Sequence, residues 1–386
     1  MLDTVLLTQK LIQFHTITPK DDGIFDYLYT ILSNFKGTCD IKYFGESVKK
    51  TGNLYAKIGN SGRNLCFAGH VDVVPIGDAV KWKFHPFGGV ISDEKLYGRG
   101  AVDMKGAIAA FIVAVERFLL NNPHFSESIS ILLTADEEGT GENGLMEMIN
   151  YICNQKKEIF HACIIGEPTC SKCIGDSIKI GRRGSLNFEI EFCGTQGHVA
   201  YQDLIKNPIT MLGNAIVLFK NHKFDDGNEF FEATNLEFVD VSTDNTSKAT
   251  NVVPSVAKCM FNIRYNNIQT GEKLVDFIKN TLNSVYGDSS YIMHSKISND
   301  SFLYGNTEIS DIAKNVIMNQ NLPIKSISID CKGGTTDGRH MIKYCKNTVE
   351  IGLNEYMAHK IDEFVKIEDL KILENIYYNI LIEYFK

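Results

Sequence analysis

Two adjacent carboxylates, Glu137 and Glu138, follow the apolar run 128–135, which the sequence predicts to be a buried strand. The other candidate residues are imidazoles and carboxylates placed before and after this pair: His70, Asp72, Asp103, Glu167 and His359. Nitrogen and oxygen donors of these types are the ligands of divalent ions such as zinc. The set is large enough for two ions, with Glu137 left over to move protons.

The spacing of these residues suggests how each could act. His70 can bind a metal through one ring nitrogen while Asp72, two residues on, accepts the N–H of the other nitrogen and fixes the tautomer. Asp103 lies in the glycine-rich segment 98–106 just before a predicted helix, where a carboxylate can bridge two ions. We expect Glu138 and Glu167 to supply one terminal carboxylate to each ion, and His359 to supply the second imidazole.

Glu137 has a different predicted role. As the remaining carboxylate it can act as general base toward water and then as general acid toward a leaving amine. A bound metal lowers the pKa of water to ~7, which makes hydroxide available at neutral pH. The residues therefore predict a hydrolase with two metal ions.

Strands and helices alternate around these residues. A strand at 64–68 leads into His70, a helix is predicted at 104–120, and further strands are predicted at 128–135 and 161–165. This alternation predicts an α/β architecture with a mixed, largely parallel sheet. The candidate ligands follow strand ends or precede a helix, which is where open α/β sheets hold their ligands.

The pattern changes near residue 180. Residues 185–192 alternate between apolar and polar side chains like a half-exposed strand. The elements that follow suggest a βαββαβ block: helices at 208–220 and 271–285 and strands at 233–240 and 255–264. We interpret 184–295 as a smaller inserted α+β domain. Residues 1–183 and 296–386 then form the catalytic domain, because His359 must reach the other ligands.

Composition narrows the class of partner. The chain has 386 residues, 44% hydrophobic and 22% charged, and a net charge of −8 without long runs of one sign. This argues against nucleic acid or an anionic membrane as the main partner. We expect a small-molecule substrate. The longest apolar stretch, 107–115, is too short to span a bilayer, and the first twenty residues lack a secretory apolar region. Ten cysteines without an export signal indicate reduced thiols, so we expect a cytoplasmic enzyme.

Several stretches of this sequence carry a resemblance to a known family. The first set is Gly69-His-Val-Asp-Val-Val-Pro75, 96–106, Thr134-Ala-Asp-Glu-Glu-Gly139 and Gly166-Glu-Pro168. The second set is 181–186, 196–201, 250–254, 261–264 and Gly333-Gly-Thr-Thr-Asp-Gly-Arg339. With these motifs the chain resembles the dinuclear zinc peptidases and deacylases, which include acetylornithine deacetylase, aminoacylase, carboxypeptidase G2 and the desuccinylases of succinyl-diaminopimelate. The second set of motifs is most similar to the desuccinylases.

The resemblance implies a zinc-exopeptidase-like catalytic domain and a ferredoxin-like dimerisation or lid domain. It implies that Asp103 bridges two zinc ions in each subunit, and that cobalt can occupy one or both sites. In a homodimer, His198 would reach into the active site of the partner subunit and stabilise the oxyanion. The positions that match substrate-contacting residues of the family are Arg182, Ser185, Tyr201, Asn251, Arg264, Gly334 and Thr335. The implied reaction is hydrolysis of N-succinyl-LL-2,6-diaminopimelate in lysine and diaminopimelate biosynthesis.

Two positions depart from the family pattern. The family usually carries Asn four residues before the ligand histidine and Thr two residues before it, whereas this chain has Glu355 and Met357. Three alternatives remain open at this point: a sibling deacylase, a dipeptidase, and a non-catalytic binding module. Arg182, Arg183 and Arg264 favour a substrate with several carboxylates. The pair Cys170 and Cys173 has no second ligand pair nearby, so we interpret it as free thiols.

Overall fold

The computed structural model describes residues 1–46, 50–246 and 248–386. The chain folds into two units. The first unit consists of Met1–Gly181, Tyr304–Asp330 and Thr336–Lys386. The second consists of Arg182–Leu303 and Cys331–Thr335. It extends beyond the predicted 184–295 because its last long strand runs to Asn299.

The secondary structure has the following bounds. The helices are α1 Thr4–Ile12, α2 Ile24–Leu32, α3 Lys105–Asn121, α4 Leu145–Ile149, α5 Pro208–Asn221, α6 Gly271–Tyr286, α7 Glu308–Met318, α8 Gly338–Met341 and α9 Ile367–Tyr384. The strands to residue 182 are β1 Thr38–Phe44, β2 Thr51–Ile58, β3 Asn64–His70, β4 Val90–Ser92, β5 Lys95–Tyr97, β6 Ser128–Thr134, β7 Ala162–Ile165, β8 Ser177–Lys179 and β9 Gly181–Arg182. The later strands are β10 Gly184–Cys193, β11 Gly197–His198, β12 Asn235–Thr243, β13 Val252–Val253, β14 Val256–Tyr265, β15 Tyr291–Asn299, β16 Phe302–Leu303, β17 Ser328–Asp330, β18 Thr348–Glu350 and β19 Phe364–Lys366.

The first unit contains the large sheet, with strand order β1-β2-β6-β3-β7-β18-β8-β17. Strand β3 lies between β6 and β7 and is parallel to both, and β7 is parallel to β18. Antiparallel pairs occur toward the edges, between β1 and β2 and between β2 and β6. The predicted α/β class with a mixed, largely parallel sheet is confirmed. The central strands β3, β6 and β7 are buried along their whole length, as their apolar sequences require.

An aromatic cluster anchors the helix that follows Asp103. Phe111 on α3 stacks on Phe67 of β3, with ring centroids 4.3 Å apart, and both rings contact Tyr377 of α9 edge-on. The Tyr377 hydroxyl donates to the backbone oxygen of Ile351, so this buried polar group is satisfied. Helix α3 is buried on nearly every side, as its almost uninterrupted apolar sequence suggested.

The second unit has the order βαββαβ, formed by β10, α5, β12, β14, α6 and β15. Its antiparallel sheet has the strand order β12-β14-β10-β15, which is the ferredoxin-like arrangement. The two helices cover one face, where Leu186, Phe188, Phe261 and Ile263 form a separate core with them. Strand β12 lies at an edge of this sheet and is largely exposed.

Among the described residues, no helix combines the length and the apolar character that crossing a membrane requires.

The aromatic cluster of the first unit predicts that two substitutions in helix α3 change the stability of the protein by different amounts. Phe111→Ala should lower the free energy of unfolding by about 3–5 kcal/mol, because it removes a fully buried ring and leaves a cavity. Leu120→Ala on the same helix should change it by less than about 0.5 kcal/mol, because this side chain is 59% exposed. Urea unfolding followed by far-UV circular dichroism measures both, and equal losses would contradict the packing described here.

Candidate metal centre

Four of the predicted residues are placed by three neighbouring parallel strands. His70 is the last residue of β3, and Glu137 and Glu138 lie in the turn after β6. Glu167 follows β7 by two residues. Because these strands run in the same direction and lie side by side, their carboxyl ends meet at one edge of the sheet. The sequence predicted this convergence.

The other two predicted ligands come from connecting segments. Asp103 lies two residues before α3, and the peptide bond that joins it to Met104 is cis. His359 follows the short 3₁₀ turn Glu355–Met357 and has a left-handed backbone with φ of 63°. This conformation is uncommon outside glycine. The His359 side chain is half exposed, whereas that of His70 is buried.

Each imidazole faces two carboxylates, and the two imidazoles share one. His70 Nε2 lies 3.2 Å from Asp103 Oδ1 and 3.6 Å from Glu167 Oε1. His359 Nε2 lies 3.2 Å from Asp103 Oδ2 and 2.8 Å from Glu138 Oε1. Asp103 therefore presents one oxygen to each histidine.

This arrangement fits a pair of divalent ions. Ligand atoms of a tetrahedral zinc site with bonds of ~2.0 Å lie about 3.3 Å from one another. The four separations between an imidazole nitrogen and a carboxylate oxygen given above fall close to that value. The donors are the nitrogen and oxygen types that such ions bind. Two groups of three residues also present ligand atoms within 4.8 Å of one another: His70 with Glu137 and Glu167, and His70 with Asp103 and Glu138.

Asp72 differs from its predicted contact. His70 Nδ1 lies 2.9 Å from the backbone oxygen of Asp72, whereas the nearest Asp72 carboxylate oxygen is 3.6 Å away. The expectation that the carboxylate accepts this N–H is wrong, because the backbone carbonyl occupies the position. The carboxylate instead accepts the backbone N–H groups of Glu137 and Glu138, at 3.3 and 3.1 Å. Asp72 is thus a fixed anchor for the turn that carries both glutamates.

The pocket is crowded with negative charge. Burial raises the pKa of Glu137 well above the usual carboxylate range, and the charge on Glu167 raises it further. Burial alone would also raise the pKa of Asp103, but hydrogen bonds with His359 and His70 outweigh it and hold this pKa low. Hydrogen bonds with Asp103 and Glu138 raise the pKa of His359 to about 10. A proton and a metal ion compete for these ring nitrogens, so cation binding releases protons.

Two residues near Glu137 were not predicted as site residues. Arg339 Nη1 lies 3.8 Å from Glu137 Oε1, and Arg339 Nη2 lies 3.5 Å from Asp337 Oδ1. Burial raises the pKa of Asp337 to about 6, while the charge of Arg339 opposes that shift. The motif 333–339 had been noted in the sequence, but nothing in it indicates contact with residue 137. The neighbouring imidazole of His340 accepts a hydrogen bond from Arg339 Nε at 3.1 Å.

The two residues that depart from the family pattern, Glu355 and Met357, also have defined contacts. Glu355 Oε1 accepts a hydrogen bond from Ser171 Oγ at 3.2 Å, and the Glu355 N–H donates to the backbone oxygen of Cys170. Met357 packs against the core of the first unit. The Cys170 thiol is buried and contacts the backbone of Gly175 and Gly352. Glu355 thereby links the segment after Glu167 to the segment before His359.

The remaining predicted residues lie in the second unit, in two groups. In the first group, Asn251 Nδ2 lies 3.4 Å from His198 Nε2, and the His198 and Tyr201 rings are 5.7 Å apart. The short ribbon of β11 and β13 positions this group, since His198 pairs with Val252. The side chains of His198 and Tyr201 are exposed.

The second group lies where β10 begins and β14 ends. Ser185 and Arg264 are paired across these strands, and Asn262 Nδ2 donates to Ser185 Oγ at 3.1 Å. Arg182 is buried and donates to the backbone oxygen of Lys332 at 2.8 Å. That contact ties it to the segment of the second unit that contains the predicted contact residues Gly334 and Thr335. Burial lowers the pKa of Arg264, and the neighbouring charge of Arg183 lowers it further.

Known proteins resemble this chain along its whole length. It is 42% identical over 385 residues to the succinyl-diaminopimelate desuccinylase of Ehrlichia chaffeensis, covering 100% of this chain and 98% of that protein. It is 44% identical over 379 residues to the enzyme of the same name from Rickettsia bellii, covering 97% and 95%. A metallo-carboxypeptidase of family M20 from Sulfolobus solfataricus superposes with a TM-score of 0.78 at 19% identity, with 100% of both chains covered, which shows the fold alone.

The predicted family is confirmed by a direct match. Residues 66–383 match the model of peptidase family M20/M25/M40, which is more than half of the chain. The matched range includes His70, Asp103, Glu138, Glu167 and His359. This chain belongs to peptidase family M20/M25/M40.

Proposed function

We propose that this protein hydrolyses N-succinyl-LL-2,6-diaminopimelate to LL-2,6-diaminopimelate and succinate, a step of diaminopimelate and lysine biosynthesis. The observation that carries the chemistry is the shared Asp103 carboxylate, whose two oxygens face two different histidines while Glu137 remains beside them. The full-length similarity to relatives named succinyl-diaminopimelate desuccinylase supports the substrate. A cytoplasmic location follows from a biosynthetic role.

The residues of the centre would hold two zinc ions per subunit, with cobalt able to replace one or both. His70, Asp103 and Glu167 would hold one ion, and Asp103, Glu138 and His359 the other. Bound divalent cations supply Lewis-acid polarisation of an amide carbonyl and lower the pKa of water to ~7.

Glu137 moves the protons of the reaction. Its carboxylate takes a proton from water as the water oxygen attacks the amide carbon, and it returns that proton to the nitrogen as the carbon–nitrogen bond breaks. The backbone of Glu137 is held by the Asp72 carboxylate, and its side chain faces Arg339 Nη1 at 3.8 Å. One of its ligand atoms lies within 4.8 Å of ligand atoms of His70 and Glu167.

The second unit would recognise the substrate. A substrate with several carboxylates needs fixed cations, and the guanidinium groups of Arg182 and Arg264 match a carboxylate with two parallel hydrogen bonds. Burial and then the nearby charge of Arg183 lower the pKa of Arg264, and a bound carboxylate would oppose both effects. Ser185, Tyr201, Asn251, Gly334 and Thr335 are the other proposed substrate contacts.

We also propose a homodimer formed through the second unit. Edge strand β12 leaves backbone groups available for pairing and exposes Val239 and Val241. Helix α5 exposes Ile209, Val217 and Leu218. A two-fold interface between copies would cover these side chains. His198 would then act in the active site of the other subunit, where it stabilises the oxyanion that forms on the carbonyl.

The two neighbouring glutamates should give different phenotypes. Glu137→Gln should keep its bound metal and lose at least ~100-fold in kcat, because it removes the group that moves protons. Glu138→Gln should weaken metal binding by more than ~10-fold, because even the loss of a residue that only hydrogen-bonds to a metal ligand typically costs that much. Metal content by atomic absorption and turnover of the succinyl substrate distinguish the two variants. If Glu137→Gln retained full turnover, the base would be assigned wrongly.

The action of His198 across a dimer predicts that two inactive variants complement each other. Glu137→Gln and His198→Ala should each be nearly inactive alone. After exchange of subunits, activity should return to about a quarter of the wild-type rate, since half of randomly mixed dimers are mixed and each has one complete site. Subunit exchange and turnover are measured together. Mixed dimers that form but remain inactive would show that His198 acts within its own subunit.

A further inference from the structure

A buried ion pair lies next to the metal centre without belonging to its ligand set. Arg99 Nη1 donates to Glu363 Oε2 at 2.9 Å, and the two side chains are 3% and 0% exposed. The residues are 264 positions apart in the sequence. Removing two charges from water is costly, and a buried pair is weak evidence for stability. Its other contacts indicate what it does.

Glu363 holds the backbone that carries Asp103. Its second carboxylate oxygen, Oε1, accepts the backbone N–H of Val102 at 3.0 Å and that of Asp103 at 3.4 Å. The backbone oxygen of Glu363 accepts the N–H of Gly98 at 2.9 Å. The segment from Gly98 to Asp103 is therefore fixed at both ends by one residue.

Arg99 holds the segments that carry the two histidines. Nη1 also donates to the backbone oxygen of Lys360, the residue after His359, at 3.0 Å. Nη2 reaches the backbone oxygen of Pro75, in the segment after His70, at 3.5 Å. The guanidinium carbon also lies over the Trp82 ring, 5.1 Å from its centre. Together, Arg99 and Glu363 contact the chain segments that carry His70, Asp103 and His359.

We propose that Arg99 and Glu363 are positioning residues of the metal centre, which set the relative places of His70, Asp103 and His359 and thereby the affinity for cations. This inference rests on the proposed metal centre and is independent of the proposed substrate. The strands fix His70 and Glu167, whereas Asp103 and His359 lie on connecting segments. The pair holds both of these segments through backbone atoms, and Arg99 also reaches the segment after His70.

The geometry explains why two opposite charges alone would not hold these backbone segments in place. The guanidinium donates in several fixed directions at once, to a carboxylate and to two carbonyl groups, which a single ammonium group cannot do. Glu363 must accept on both oxygens, one from Arg99 and one from the amides. Arg99→Lys keeps the positive charge and loses the planar set of guanidinium donors. Glu363→Gln keeps the shape of the side chain and loses one of its two acceptor oxygens.

The test compares these variants with Arg117→Lys, a matched control on the surface of α3. Arg117 also lies near a glutamate, 3.7 Å from Glu374, and over a ring, that of Tyr378. For each full-length protein without metal, far-UV circular dichroism and the thermal midpoint are recorded first. Zinc affinity is then measured by competition with a chelator, and the cobalt-loaded protein is examined by visible absorption.

We expect Arg99→Lys and Glu363→Gln to fold and to bind zinc about 10–100-fold more weakly, as when an outer partner of a metal site is lost. The visible spectrum of bound cobalt should change in both variants, because its ligands move. Arg117→Lys should match the wild type in affinity and spectrum. A lowered thermal midpoint with wild-type affinity and spectrum would overturn the inference, since the pair would then be merely structural.

A third variant covers the case in which a single substitution prevents folding. Arg99→Gln combined with Glu363→Gln removes both charges, so no lone charge stays buried. It should fold and also bind zinc about 10–100-fold more weakly, and unchanged affinity would overturn the inference. Wild-type protein that binds fewer than two ions would overturn the proposed centre itself, which separates that failure from this one.

Discussion

The site depends on the crowding of negative charge at one edge of the sheet. The carboxylates of Asp103, Glu137, Glu138 and Glu167 converge there, and the two imidazoles and the Arg339 guanidinium lie against them. Charges of one sign repel strongly where water is excluded, and together with burial this repulsion raises the pKa of Glu137. Divalent cations offset the repulsion, so cation binding and the stability of the pocket are linked.

The framework solves two different positioning problems. Parallel strands deliver His70 and Glu167 to one edge, because the sheet fixes their backbone. The turn after β6 and the segment before α3 lack such support and are held by buried carboxylates. Asp72 accepts the N–H groups of the Glu137–Glu138 turn, and Glu363 accepts those of Val102 and Asp103. In both cases an acidic side chain near the centre binds amides and leaves the ligand side chains free for cations.

The sequence predicted much of this arrangement for a physical reason. An apolar run that ends in acidic residues or histidine places those residues at the carboxyl edge of a parallel sheet, so His70, Glu137, Glu138 and Glu167 could be grouped without a structure. The βαββαβ block was also predictable, since alternating strands reveal the half-exposed sheet around Ser185. His359 was a candidate ligand by residue type alone, because no strand end leads to it, and the family resemblance supported the assignment.

Other contacts could not be predicted, since they join residues far apart in the sequence. Nothing in the segments around Arg99 and Glu363 indicates that they pair across 264 positions. The proximity of Arg339 to Glu137 likewise depends on how α8 is placed. For Asp72 the residue was predicted correctly and the atom was not, because spacing along the chain does not distinguish a side-chain oxygen from a backbone oxygen.

The most direct test of the central claim is hydrolysis by the zinc-loaded protein of N-succinyl-LL-2,6-diaminopimelate beside N-acetylornithine, with kcat/KM measured for each. We expect a strong preference for the succinyl substrate, because the proposed contacts Arg182 and Arg264 would bind its carboxylates. A preference for N-acetylornithine would contradict the proposed substrate and indicate a sibling deacylase. Hydrolysis of neither substrate with two ions bound would contradict the assignment of this site to deacylation.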